Sequence, residues 1–170
     1  MALELQSPHE DIKPPLQQAH FHLKLWRFLA SKTTPDITLS FNDFLLFFKE
    51  HLRSERKWAL DVQLSDMTDF DPTTVKLHAV MVIVAKQILT SGGKIDLHTP
   101  FELSASGPRC IVHDDVKDAL LNLKTIETIG SRGILTLYAQ EFLLKPFGLC
   151  FDLQTTPTSL VLRVKETKTP

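Results

Sequence analysis

The segment from Asp71 to Gly93 constrains this chain more than any other. Asp71 followed by Pro72 is a helix start, because a carboxylate caps the first free amides and proline fits the first turn. Ser91-Gly92-Gly93 is the matching stop. Between them, Val75, Ala79, Val80, Val82, Ile83, Val84, Ala85 and Ile88 cover most of the helix circumference. A helix apolar on nearly all sides has to lie at the centre of a core, and the rest of the 170 residues must supply its walls. A hydrophobic content of 43% against 23% charged residues allows this and argues against wholesale disorder. The longest apolar run, Ala79 to Ala85, is far too short to cross a bilayer.

Around that helix the other elements fall into place. Residues 1–15 hold Pro8, Pro14 and Pro15 and read as a flexible leader. A helix is predicted from Leu16 to just before Thr33-Thr34-Pro35, within an N-terminal segment 16–35. Its apolar side chains form two arcs: Leu16, Ala19, Leu23, Trp26 and Ala30 on one side, Phe21, Leu25, Phe28 and Leu29 on the other. Two apolar faces call for two partners, its own domain and another subunit. Ser40 and Asp43 open a second helix carrying Phe41, Phe44, Leu45, Phe48 and Leu52. Trp58, Leu60, Val62 and Leu64 alternate as in a half-buried strand, and Asp61 to Asp71 is expected to be a solvated acidic loop.

After the central helix, Lys94 to His98 and Phe101 to Ala105 read as strands joined at Thr99-Pro100, and Asp114 to Leu121 as a short helix. A longer helix is expected from Ser131 to Leu144, with Ile134, Leu135, Tyr138 and Phe142 on one side and Pro146 and Gly148 ending it. Leu149, Phe151 and Leu153, then Leu160, Leu162 and Val164, alternate as a terminal hairpin around Thr155 to Thr158. This order predicts an α+β fold for residues 36–170, a two-layer sandwich of one mixed sheet with helices on one face.

The same order, with several short words, resembles the ATP-binding (GHKL) fold of sensor histidine kinases. The helix Asp71 to Leu89 followed by Gly92-Gly93-Lys94-Ile95-Asp96-Leu97 is similar to the asparagine-box helix, glycine pair and next strand of that fold. Leu103-Ser104-Ala105-Ser106-Gly107-Pro108-Arg109 stands where the nucleotide loop Asp-x-Gly-x-Gly belongs, and its Ala-x-Gly-Pro-Arg form resembles the ChpT-like histidine phosphotransferases of bacterial phosphorelays. Leu23 to Ala30, Leu39 to Leu52 and Trp58 to Leu64 follow that family's order, so the resemblance spans about residues 16 to 165. It implies that 36–170 is a degenerate kinase ATPase-like domain without ATP or another cofactor, and that 16–35 is the remnant of a dimerisation hairpin. It further implies response-regulator receiver domains as partners and a homodimer.

The residues agree on the loss of ATP. Val80 and Val84 occupy the positions at which two asparagines would direct amide oxygens toward magnesium and phosphates, and magnesium requires hard oxygen ligands. Ala105 replaces the acidic residue that would read adenine, Gly107 is retained, and Arg109 replaces the second glycine. The late glycine-rich loop is reduced to Gly130-Ser131-Arg132-Gly133, a weak anion cradle at best.

Phosphotransfer needs a histidine. His9-Glu10 followed by Pro14 resembles the acceptor word of histidine kinases, but Asp11 stands where an apolar residue is expected and Pro14-Pro15 interrupts the helix. His20 is better placed, in a polar arc with Gln17, Lys24 and Arg27, where cations at i+4 and i+7 can steady a phosphoryl group. His22 falls between the apolar arcs. The plain alternative is that both are ordinary histidines of an amphipathic helix. On the acceptor reading, Phe21, Leu25, Phe28 and Leu29 form the subunit contact, and His20, Lys24 and Arg27 face the receiver.

Other chemistries find little support. His98, His113, Asp114 and Asp115 lack zinc-ligand spacing, so no metal site is expected. Cys110 follows the pattern of a small core residue, and with Cys150 far away a disulfide framework is unlike this chain; a reducing, cytoplasmic setting is expected. The N-terminus lacks the pattern of a secretory signal. Nineteen basic and twenty acidic residues leave a formal charge of -1, and the clusters Arg53, Arg56, Lys57 and Arg163, Lys165, Lys168 are not interleaved with aromatics, so neither nucleic acid nor membrane is expected as a partner. Nucleophile elbows, Walker loops and dinucleotide fingerprints are missing from the sequence. The sequence therefore leads to a phosphorelay protein that docks receivers, at most a phosphotransferase and neither ATPase nor autokinase. The alternative is a non-catalytic adaptor that keeps the kinase fold for protein binding.

Overall fold

The computed structural model describes residues 13–30, 41–54, 57–62, 71–99 and 101–167. His9-Glu10, Thr33 to Pro35, Arg56, Gln63 to Phe70 and Lys168, all named above, lie outside them, as do residues 1–12 of the expected leader. The chain divides into two compact units, Met1–Ile37 and Thr38–Pro170.

The first unit holds helix α1, Lys13–Ala30. It begins at Lys13 rather than Leu16, so Pro14 and Pro15 stand inside its first turn. That position costs little, because the amides of a first turn have no partner within the helix and proline already has a helical φ.

The second unit starts with α2, Phe41–Ser54, and β1, Trp58–Val62. Phe44, Phe48 and Leu52 recur on the buried face of α2, with the two rings 4.7 Å apart. Helix α3, Pro72–Ile88, follows. Its cap is as the sequence demands: Asp71 Oδ1 accepts from the amides of Thr73 (2.9 Å) and Thr74 (3.2 Å), and Thr74 Oγ1 donates to Oδ2. Val75, Ala79, Val80, Val82, Val84, Ala85 and Ile88 are buried, the central position that all-round apolarity requires. Two polar residues are buried with them, Lys76 and His78, and the His78 ring lies 6.5 Å from Phe44 of α2.

Strands β2, Gly93–Thr99, and β3, Glu102–Ser106, come next, then α4, Asp114–Leu120, α5, Ile134–Tyr138, and the hairpin β4, Leu149–Thr155, with β5, Ser159–Glu166. The sheet order is β1-β2-β3-β5-β4. β1 runs parallel to β2, joined through α3, and the other three pairings are antiparallel. The register lines up apolar rows. Ile95 pairs with Ala105 and Ala105 with Leu160; Leu97 pairs with Leu103, Leu103 with Leu162 and Leu162 with Leu153. All but Leu153 are buried, and they form the sheet's half of the core.

The opposite sheet face is polar and neutralises itself. Arg163 Nε lies 2.6 Å from Glu102, Lys165 Nζ 2.7 Å from Asp152, Lys94 Nζ 2.5 Å from Asp96, and His98 Nε2 2.7 Å from Ser104 Oγ. The α+β sandwich expected from the sequence is thus present, one layer of sheet and one of helix.

The expected helix from Ser131 to Leu144 needs correction. Only Ile134–Tyr138 is α-helical; a wide π turn, Ala139–Leu144, and a 3-10 turn, Lys145–Phe147, complete it. A π turn bonds i to i+5 and rotates the residues after it off the 3.6-residue wheel. Phe142, placed with the inward residues by helical spacing, is 61% exposed, whereas Thr136, Leu137, Ala139, Gln140, Leu143 and Leu144 are buried. Gln140 shows what the turn accomplishes. Its Nε2 donates to the carbonyl of Leu120 at the end of α4 (2.9 Å), and its Oε1 accepts from the amide of Phe151 in β4 (3.1 Å).

Candidate functional site

The positions that the sequence resemblance likens to a degenerate nucleotide site lie in the second unit. Val80 and Val84, one turn apart on α3, have no exposed surface at all. They offer neither an oxygen nor an opening. Ala105, on the inward face of β3, is also buried. Gly107 is half-buried and Arg109 exposed, both on the segment that leaves β3.

That segment is fastened to its surroundings. Gly107 donates its amide to the carbonyl of Thr158 (2.9 Å), Cys110 to that of Pro157 (2.8 Å), and Ile111 to that of Ile88 at the end of α3 (2.8 Å). Two backbones also meet closely at its start. A Cβ on Gly107 would stand 2.3 Å from the carbonyl oxygen of Gly92, so only glycine fits there. Gly92 itself has φ +96, a left-handed conformation that favours glycine. The Gly-Gly pair, read in the sequence as a helix stop, and Gly107, read as part of the nucleotide loop, act here as a tight crossing of chain. Burial pushes the Cys110 thiol above its usual range, so at neutral pH it is a protonated, weakly nucleophilic group.

Gly130 and Gly133 are filled in from α4. A Cβ on Gly130 would stand 2.0 Å from a carboxylate oxygen of Asp115, and one on Gly133 would stand 2.5 Å from the Asp115 carbonyl oxygen. A carboxylate against these glycines repels an incoming phosphate, and α5 is too short to add much of a dipole. Arg132 turns instead to His113, with Nη1 at 2.8 Å from Nδ1. Among the described residues, no three His, Cys, Asp or Glu side chains stand together as metal ligands.

Helix α1 carries the other candidates. His20, Lys24 and Arg27 are exposed along one flank. Of the face read as a subunit contact, Phe21, Leu25 and Leu29 are 7%, 4% and 1% exposed and Phe28 is half-buried. Leu16, Leu23 and Trp26, by contrast, are 62%, 65% and 41% exposed. The site residues thus remain in two groups, the α1 flank in one unit and the α3–β3 positions in the other.

The sequence reading missed a groove of about 370 Å³ between the segment Asn122 to Ile126 and the outer side of α5 and the π turn, where Leu123, Ile126, Tyr138 and Phe142 supply its apolar walls. Its charged residues are already matched, Lys124 with Asp118 and Glu141 with Lys145, each at 2.8 Å. The available signal was Leu121, Leu123 and Ile126, three large apolar residues in a stretch without helical or strand period.

No helix among the described residues is long and apolar enough to cross a membrane. No protein-family model matches the sequence, and no curated protein matches it. Two of the solved structures that resemble it are these. The catalytic domain of the histidine kinase ThkA, free of nucleotide, aligns at 14% identity and a TM-score of 0.44 over 73% of this chain and 86% of that one. A bacterial phosphotransferase aligns at 17% identity and a TM-score of 0.72 over 96% of this chain and 82% of that one. With that phosphotransferase, the chain shares its fold.

Proposed function

We propose that this chain is a phosphorelay protein of the ChpT-like histidine phosphotransferase kind, which docks response-regulator receiver domains through α1 and works without ATP. The observation that carries the reading is the exposed flank of α1, where the His20 imidazole stands with Lys24 and Arg27 on one side of the helix. A phosphotransferase has simple needs: a reachable imidazole and positive charge for the transferred group. In the transfer, a neutral ring nitrogen of His20 attacks the phosphorus of a receiver aspartyl phosphate. The N–P bond forms as the acyl-phosphate O–P bond breaks, and the aspartate leaves as a carboxylate. The reverse step loads a second receiver. Lys24 and Arg27 offset the charge of the phosphoryl oxygens. A homodimer belongs to the same reading, and sedimentation over a range of concentrations tests it.

The test is incubation with a receiver carrying labelled aspartyl phosphate. Label is expected to pass to the wild-type chain in an acid-labile, alkali-stable form, as a phosphoramidate requires, and to be lost in His20→Ala. Failure of the wild type to accept label from cognate receivers overturns the transfer step.

The closed state of the α3–β3 positions favours a second reading, a non-catalytic adaptor. Val80 and Val84 are sealed and the Gly107 to Ile111 segment is hydrogen-bonded in place, so the domain serves as a rigid body for docking. Undiminished receiver binding by His20→Ala, with no phosphate exchanged by either protein, selects it.

A further inference from the structure

Two separate stretches of the second unit bring apolar residues out of the core to the same place. In the segment between α4 and α5, Leu123 and Ile126 are 65% and 57% exposed, and on the π turn Phe142 is 61% exposed. With Tyr138 they wall the groove of about 370 Å³. The two hydrogen bonds of Gln140 account for the inward side of the π turn, but nothing in that tie requires Leu123 and Ile126 to lie open beside Phe142. Apolar side chains that converge from two chain segments on one hollow mark a binding surface, and π turns recur at such sites. None of Val80, Val84, Ala105, Gly107 and Arg109 lines it, so it is separate from the closed positions on α3 and β3.

The walls define what can occupy it. Both charges in the lining are already compensated: Lys124 Nζ lies 2.8 Å from Asp118, and Glu141 lies 2.8 Å from Lys145 Nζ. Burial raises the Tyr138 phenol above its usual range, so it too is uncharged at neutral pH. An ion entering the groove would lose water and gain no partner. The volume stands at the small end of the ~300–1,000 Å³ range of ligand pockets. One turn of an α-helix, about 10 Å across and about 5.4 Å tall, fills roughly 420 Å³, so the groove holds less than a turn of a docking helix. Its walls are a turn segment and helical turns, with no strand edge for a peptide to extend. The Tyr138 and Phe142 rings lie 5.3 Å apart with their planes tilted by 34°. That is within the spacing at which aromatic rings attract, and a further ring set against Phe142 continues the same pattern.

We infer that this groove binds an uncharged aromatic small molecule of one or two rings, held between Leu123 and Ile126 on one side and the Tyr138–Phe142 pair on the other. The inference is independent of the phosphorelay reading, because no residue of α1 takes part in it.

Tyr138 is the reporter. It is the chain's one tyrosine, so protein labelled with ring carbon-13 tyrosine gives a single set of ring signals in NMR, all from the groove wall. Four probes share one carbon skeleton: 2-naphthol is neutral and aromatic, decahydro-2-naphthol neutral and saturated, 2-naphthoate an anion and 2-naphthylmethylammonium a cation. 2-Naphthol is expected to shift the Tyr138 signals saturably. The two ions should bind at least about tenfold more weakly, and the saturated alcohol about threefold more weakly. Phe142→Ala, a change at an exposed side chain, should weaken 2-naphthol binding about tenfold. Ile126→Ala gives a second reading should that variant fold poorly, with circular dichroism as the check. Absence of a saturable shift, binding of an ion or of the saturated alcohol as tight as that of 2-naphthol, or full affinity in both variants each overturns the inference. So does a probe-induced shift at the Trp26 indole N–H with Tyr138 unmoved, which places the ligand on α1, and so does a Tyr138 shift that grows with protein concentration alone, which makes a second copy the occupant. Label transfer from a receiver is read separately, so its failure condemns the transfer step and not the groove.

Discussion

Two buried residues of this fold stand in opposite situations. Val84 has no exposed surface, so Val84→Asn would not offer an oxygen to a metal ion; it would place an amide in an apolar core. An unsatisfied buried amide plus the lost apolar contact costs about 2–4 kcal/mol. Urea unfolding should show that loss, and titration calorimetry with Mg-ATP should remain flat for both proteins. Heat of nucleotide binding in the variant would mean that the closed site opens. Gln140 is the opposite case, a buried polar residue with both ends in use. Gln140→Leu leaves the Leu120 carbonyl and the Phe151 amide without their partner. We expect a loss of about 1–3 kcal/mol by the same unfolding measurement, and faster hydrogen exchange at the Phe151 amide.

At the scale of elements, the start of α3 carries the clearest dependence on pH. Burial alone would raise the Asp71 carboxyl, but the hydrogen bonds from Thr74 and Thr73 outweigh it and hold the group below its ordinary value of 3.8. A depressed carboxyl favours the folded state above its unfolded value, and that contribution is lost as pH falls through the folded one. Asp71→Asn keeps a capping side chain without the ionisation. Thermal melts should place the variant below the wild type by about 1 kcal/mol at pH 7. The gap should narrow as pH falls below 3.8. A gap that is constant across that range would mean that the carboxylate charge contributes nothing to the cap. The π turn after α5 is an element of another kind. It sacrifices helical register to bring Gln140 inward, and in doing so it sets Phe142 outward to form a groove wall.

For the whole molecule, burial rather than surface charge holds the sandwich together. The ion pairs on the outer sheet face are half-exposed, with Arg163 and Glu102 side chains 40% and 36% accessible. Such pairs contribute at most about 1 kcal/mol. Arg163→Gln should therefore change the urea midpoint only slightly, and a loss comparable to that of Val84→Asn would show that the ladder matters more than its exposure suggests. Element order, the central place of α3 and the apolar rows of the sheet were legible from the chain, because burial repeats with the period of the backbone: all round the helix from Val75 to Ile88, and at every second residue in Leu103 to Ala105 and Leu160 to Leu162. The closed glycine crossing, the tie through Gln140 and the outward turn of Phe142 were not. Each depends on what a distant segment brings alongside, Gly92 to Gly107 or Leu120 and Phe151 to Gln140, and on a local change of helical period that no single pattern announces. Local periodicity settles which faces must be hidden; only the packing of remote backbones decides whether a glycine is a phosphate cradle or a crossing point.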